Sequence, residues 1–178
     1  METNWQISSS QKQTLDALFG AIAIENNKIK KVLDVGSGRT SIFYLTDRFK
    51  DLTITGVVYP GDSRKIDPIK KCVKNSNYEL IESDIKDFYP EEKFDIVLAH
   101  LFLGEAEKFG ENKFKSILER LFSIKTDYLV LVNLSNDKID YSLLLKEITL
   151  HGNILKIEYG ISEGGGEYLG MLVSLNNM

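Results

Sequence analysis

Two periods of apolar and polar positions trade places along the chain, one helical and one extended. Leu15, Leu18, Phe19 and Ile22 recur at i, i+3, i+4 and i+7 behind Ser10-x-x-Gln13, a capping-box spacing, which predicts a first helix with one buried face. Lys31-Val32-Leu33-Asp34-Val35 is a short apolar run that stops at Gly36, and Ile42, Phe43 and Leu45 then return to helical spacing. The pattern is strand, glycine turn, helix. Leu52 to Val58 is rich in β-branched residues and predicts a second strand ended by Pro60-Gly61. Asp67-Pro68 sets a cap and a first-turn proline for another helix, with Ile69, Cys72 and Val73 inward.

Tyr78 to Ile81 predicts a third strand. Phe94 to Ala99 predicts a fourth, apolar on both faces as a central parallel strand must be. Phe114, Ile117, Leu118, Leu121 and Phe122 form the strongest helical stripe, and Tyr128 to Leu134 follows as a fifth strand. Asp140 caps a helix expected to carry Tyr141, Leu144, Leu145 and Ile148 inward. The last two strands, Ile154 to Tyr159 and Tyr168 to Leu175, flank Gly164-Gly165-Gly166 with no helix between them, so they form an antiparallel hairpin at the sheet edge. The alternation predicts an α/β fold, a three-layer sandwich around a seven-stranded, mostly parallel sheet. Residues 1–178 read as one domain, with 1–28 a helical arm and 29–178 the sheet and its covering helices.

Composition narrows the function classes. With 178 residues, 43% hydrophobic and 27% charged, the chain suits one globular core. No apolar run approaches a membrane span, and Met1-Glu2-Thr3-Asn4-Trp5 lacks a basic region followed by an apolar stretch, so a cytoplasmic protein is expected. Cys72 is the only cysteine, which leaves no internal disulfide, and no Cys/His cluster has metal-ligand spacing. The net charge of −4 and dispersed lysines favour a small-molecule or protein partner over nucleic acid.

The chemistry concentrates in Val32-Leu33-Asp34-Val35-Gly36-Ser37-Gly38-Arg39-Thr40. A strand feeding a glycine turn that opens a helix lets ligand atoms approach the backbone, with unpaired N–H groups facing them. A dinucleotide-dehydrogenase fingerprint would need a third glycine, where Ser41 stands, and an acid about 20 residues on; neither is present.

The segment instead resembles the first motif of class I S-adenosylmethionine-dependent methyltransferases, with Asp34, Gly36 and Gly38 matching. Glu82-Ser83-Asp84-Ile85 is similar to the family's adenine-recognition step, and Phe94-Asp95-Ile96-Val97 to its fourth-strand motif. The resemblance spans Val32 to Leu175, terminal hairpin included. It implies a Rossmann-like fold and S-adenosylmethionine as cofactor, with S-adenosylhomocysteine as product. It also implies cofactor contacts at Asp34, Gly36, Ser37, Gly38, Asp84 and Ile85, Asp84 reading alternatively as a helix cap. The family's third glycine is Thr40 here, and its ribose-binding acid at the end of the second strand is Val58. Tyr59 and Asp62 are candidates for that missing role. His100, closing the fourth strand, is both a cofactor-site candidate and the only candidate base. Leu101 to Glu105 could line an acceptor pocket or join the core, and Trp5 could cover the cleft or anchor packing. The implied reaction is methyl transfer to an unidentified acceptor. A non-catalytic partner subunit of this fold and an NAD-dependent oxidoreductase stay open as alternatives.

Overall fold

The computed structural model describes residues 7–25, 29–49, 51–61, 67, 77–108, 110–135, 137–161 and 166–176. Trp5, Asp62, Cys72, the helix expected around Ile69 to Val73, and Gly164-Gly165 lie outside the described residues. The first helix, α1 (Ser9–Glu25), begins earlier than the Ser10 spacing predicts: Ser8 Oγ accepts from the Gln11 N–H at 3.3 Å, and Ser10 is buried inside the helix.

The remaining elements are β1 (Lys31–Val35), α2 (Arg39–Arg48), β2 (Thr53–Val58), β3 (Tyr78–Glu82), a 3-10 turn at Ile85–Asp87, and β4 (Phe94–His100). They continue with α3 (Phe102–Glu107), α4 (Glu111–Ser123), β5 (Thr126–Leu134), α5 (Tyr141–His151), β6 (Gly152–Ile161) and β7 (Glu167–Leu175). The strands form one seven-stranded sheet in the order β3-β2-β1-β4-β5-β7-β6. Pairing is parallel from β3 to β5, with Val32 opposite both Ile54 and Ile96, and β7 runs antiparallel between β5 and β6. The terminal hairpin thus leaves β6 as one edge of the sheet, with β3 at the other.

Each sheet face buries its own cluster. On one side Leu33, Val35, Val97, Ala99, Leu129 and Leu131 pack under α3, α4 and α5. On the other, Val32, Ile54, Ile96, Leu98, Val130 and Val132 pack under α1 and α2. The two sides alternate along each strand because successive side chains point to opposite faces, so strands covered twice must be apolar throughout. The five-residue stripe of α4 is wholly buried, and Asp140 Oδ1 accepts from the Leu143 N–H at 3.0 Å as the cap of α5.

One expectation is corrected. Leu145 is 44% exposed, because α5 contacts the core along a narrow stripe through Leu144 and Ile148. The segment after β4 folds as α3, with Leu101, Phe102 and Glu105 beside a cleft and Leu103 in the core; Leu101 stops the strand by taking a left-handed conformation at φ 56°.

Candidate active site

At the C-terminal ends of β1, β2 and β4 the sheet opens into a cleft of about 220 Å³. Its walls come from Gly36-Ser37 after β1, Val57-Val58-Tyr59 at the end of β2, Ser83-Asp84-Ile85 after β3 and Leu101-Phe102 after β4. Glu105 and Ala106 of α3 and Lys113 and Ile117 of α4 close it. Strand ends of an open parallel sheet are where α/β folds place ligands, since the loops on either side of the centre diverge there.

The two glycines of the turn have different roles. Gly36 has φ +69°, and a Cβ there would sit 2.5 Å from Phe102 Cδ2, so the turn needs glycine for its conformation and for the ring packed on it. Gly38 is extended, at φ −132°, and a Cβ on it would meet nothing nearer than the Gly36 carbonyl at 4.0 Å. It caps α2 and does not line the cleft.

Asp34 is fully buried behind the turn rather than exposed in the cleft. Ser37 Oγ and Ser41 Oγ each donate to its Oδ2 at 2.8 Å, and Oδ1 has no partner among the described residues. Burial pushes the carboxyl up from 3.8 to about 7, against the lowering effect of the Ser41 and Ser37 hydrogen bonds. Tyr78 completes the network, its hydroxyl donating to Ser37 Oγ at 2.8 Å while crossing above Gly56. Burial, with Asp34 adding to it, raises the Tyr78 phenol well above its ordinary value, so it stays a donor. The Ser37 N–H also donates to the Val57 carbonyl at 3.0 Å, fixing the turn to β2.

The other expected residues separate cleanly. Tyr59 and Ile85 line the cleft, Tyr59 half-exposed with Lys113 Nζ 5.8 Å from its ring centroid. Asp84 lines it too, and its Oδ1 caps the following turn by accepting from the Lys86 N–H at 3.1 Å. His100 does not line the cleft. It is 7% exposed, its Nε2 has no partner among the described residues, and burial lowers its pKa to about 4. Asp95, at the start of β4 and away from the cleft, holds the start of β1, accepting from the Lys30 and Lys31 N–H groups at 2.6 and 2.9 Å. The sequence reading missed Lys113, Ser41, Tyr78 and Gly56, all placed by tertiary register.

No protein-family model matches the sequence, and no curated protein matches it. Solved structures do match. The N-methyltransferase NodS from Bradyrhizobium japonicum WM9, solved with S-adenosyl-L-homocysteine, superposes with a TM-score of 0.73 at 12% identity, over 98% of this chain and 93% of that one. The 1,6-didemethyltoxoflavin-N1-methyltransferase of Burkholderia thailandensis gives 0.69 at 14% identity, over 98% and 81%. An Escherichia coli rRNA methylase gives 0.64 at 18% identity, over 94% and 65%.

This is the class I methyltransferase fold. Within that fold, Ser41 occupies the position a dinucleotide fingerprint gives to a third glycine, and its hydroxyl is spent on Asp34. Val58, 4% exposed, fills the end of β2 in the cleft wall. Among the described residues no helix is long and apolar enough to cross a membrane, and no group of three His, Cys, Asp or Glu side chains could hold a metal ion.

Proposed function

We propose that this protein binds S-adenosylmethionine in the cleft beside Gly36 and transfers its methyl group to an acceptor. The observation that carries this reading is that one cleft gathers the Gly36 turn, the end of β2 and Asp84-Ile85, three segments that the sequence separates by tens of residues. Its volume is below the roughly 300 Å³ at which pockets for drug-sized ligands begin, which suits a nucleoside-sized group with the remainder of a longer ligand outside. Asp84 offers an acceptor for an exocyclic amino group, and Val58, Ile85 and Ile117 offer apolar walls for a ring.

When bound, the cofactor supplies the activated methyl group, so the protein's own contribution is to hold and orient. The Gly36-Ser37 backbone gives close approach, and Phe102 packed on Gly36 sets the floor beside it. His100 is neutral at neutral pH but buried outside the cleft wall, so the site itself favours an acceptor that needs no base there. A small-molecule or protein acceptor remains the preferred class, on the net charge of −4.

Titration calorimetry tests this. Micromolar binding of S-adenosylmethionine and S-adenosylhomocysteine, with NAD weaker by at least tenfold, is the expected result. No heat with either sulfur ligand at millimolar concentration, in protein folded by circular dichroism, overturns the reading. Tight binding with no S-adenosylhomocysteine produced from any acceptor supports the non-catalytic partner subunit instead.

A further inference from the structure

Eight large hydrophobic side chains are exposed among the described residues, and six of them fall on α5 and β6: Leu145, Leu150, Leu155, Ile157, Tyr159 and Ile161. Exposed apolar residues are ordinary when scattered, but a contiguous group marks a contact surface. Here the group coincides with an open strand edge. β6 runs ten residues, contains no proline, and has no strand on its outer side among the described residues. Such an edge presents unpaired backbone N–H and C=O groups as a template for another strand. Ile157 and Tyr159 stand opposite Met171 and Leu169 of β7, so they extend the α5 side of the sheet beyond its last strand.

The strand also carries its own complement. Lys156 and Glu158 flank Ile157, facing away from the apolar row, both half-buried. An antiparallel copy of β6 on a twofold axis at Ile157, past the irregularity between Ile154 and Lys156, sets Lys156 opposite the partner's Glu158, twice by symmetry. Shifting the axis by one residue sets lysine against lysine or glutamate against glutamate, which is unfavourable across strands. We propose that the α5–β6 edge is the interface of a homodimer in which β6 pairs antiparallel with β6 of a second copy about Ile157. The symmetry is isologous and closed, as in most small oligomers. Six half-exposed side chains bury on the order of 1,000 Å² over both copies, near the lower limit for a specific interface, so association in the micromolar range is expected.

Sedimentation velocity over a micromolar concentration series tests this on the full chain. The expected result is a monomer–dimer equilibrium that Ile157→Lys weakens at least tenfold. Charge reversal then reads the register: Lys156→Glu alone and Glu158→Lys alone are each monomeric, while an equimolar mixture of the two variants forms a heterodimer, because an acidic edge now meets a basic one. The mixture also shows that both variants are folded. A monomeric wild type at about 200 µM, a dimer indifferent to Ile157→Lys, or single variants that dimerise alone as well as mixed overturns the proposal. Monomeric protein that instead captures a synthetic β-strand peptide also overturns it, assigning the edge to another chain.

Discussion

The Tyr78 hydroxyl and the Ser37 hydroxyl, 41 residues apart, meet at 2.8 Å directly over the Cα of Gly56. A Cβ on residue 56 would lie 1.9 Å from Tyr78 Oη and 2.5 Å from Ser37 Oγ, so glycine in the middle of β2 is what allows the two groups to touch. The bond lies behind the glycine turn, on the face opposite the cleft floor, and holds the residue whose backbone lines that cleft. Tyr78→Phe should destabilise the protein by about 1 kcal/mol, the usual net value of a hydrogen bond. Gly56→Ala should destabilise it by more, roughly 2 kcal/mol or above, because backbone and ring must separate. Urea unfolding of the two variants and their double would show coupling between the sites, since removing Oη relieves the nearer contact. Additive losses would dissociate Gly56 from Tyr78.

A second prediction follows from Asp34. Its folded pKa, about 7, lies above the ordinary 3.8, so between those values the folded state holds a proton that the unfolded state has released. Stability contributed by the neutral carboxyl is therefore complete below about pH 4, is lost as pH rises, and levels off above about 7, with a total of a few kcal/mol. Asp34→Asn keeps one acceptor for Ser37 and Ser41 but cannot ionise. The variant should be less stable than wild type at pH 5 and equal or more stable at pH 8, as read by urea midpoints at both values. A constant difference across that range would show that Asp34 does not titrate there.

The turn itself gives a third. Gly36→Ala should cost about 1–3 kcal/mol, from the left-handed backbone and the Phe102 ring, whereas Gly38→Ala should stay within about 0.5 kcal/mol. Adding Phe102→Ala to Gly36→Ala should recover the packing part and leave the backbone part. Thermal melts of the four proteins decide it, and an equal penalty at the two glycines would contradict the distinction drawn from their geometry.

What could be read from the sequence was local. The all-apolar run of β4, the five-residue stripe of α4 and the Asp140 cap depend on neighbours in the chain, and each is seen where the pattern put it. Tyr59, Asp84 and Ile85 were reached through the family resemblance rather than the local pattern, and all three line the cleft. Tyr78 was not legible, because its function depends on leaning from its own register partner Ile54 toward Gly56, a relation among three strands. Nor was α3, since Leu101-Phe102-Leu103 continues an apolar strand in composition and only the left-handed Leu101 breaks it. Asp34 shows the reverse error: its position in the motif was legible, but its burial beneath Ser41 was a matter of how α2 sits on the turn.

The last prediction concerns Val58, where the class I resemblance leads one to expect an acid. Its side chain is 4% exposed in the cleft wall, and its carbonyl accepts from the Ser83 N–H at 2.9 Å, so the backbone position is fixed whatever side chain stands there. A ligand ribose lying against it would leave hydroxyls to be satisfied by water or by neighbours such as Tyr59, at roughly 1–3 kcal/mol for each one left unpaired. Val58→Asp should therefore act in opposite directions on the two states. The free protein should lose stability, since a carboxylate replaces a buried aliphatic group. The complex should regain it: S-adenosylhomocysteine should bind at least tenfold tighter than to wild type, about 1.4 kcal/mol, and the gain should vanish for an analogue lacking the ribose hydroxyls. Calorimetry with both ligands separates the contributions. A weaker complex with either ligand, in a variant that remains folded, would mean that the ribose lies elsewhere and that another group already takes the place of the missing acid.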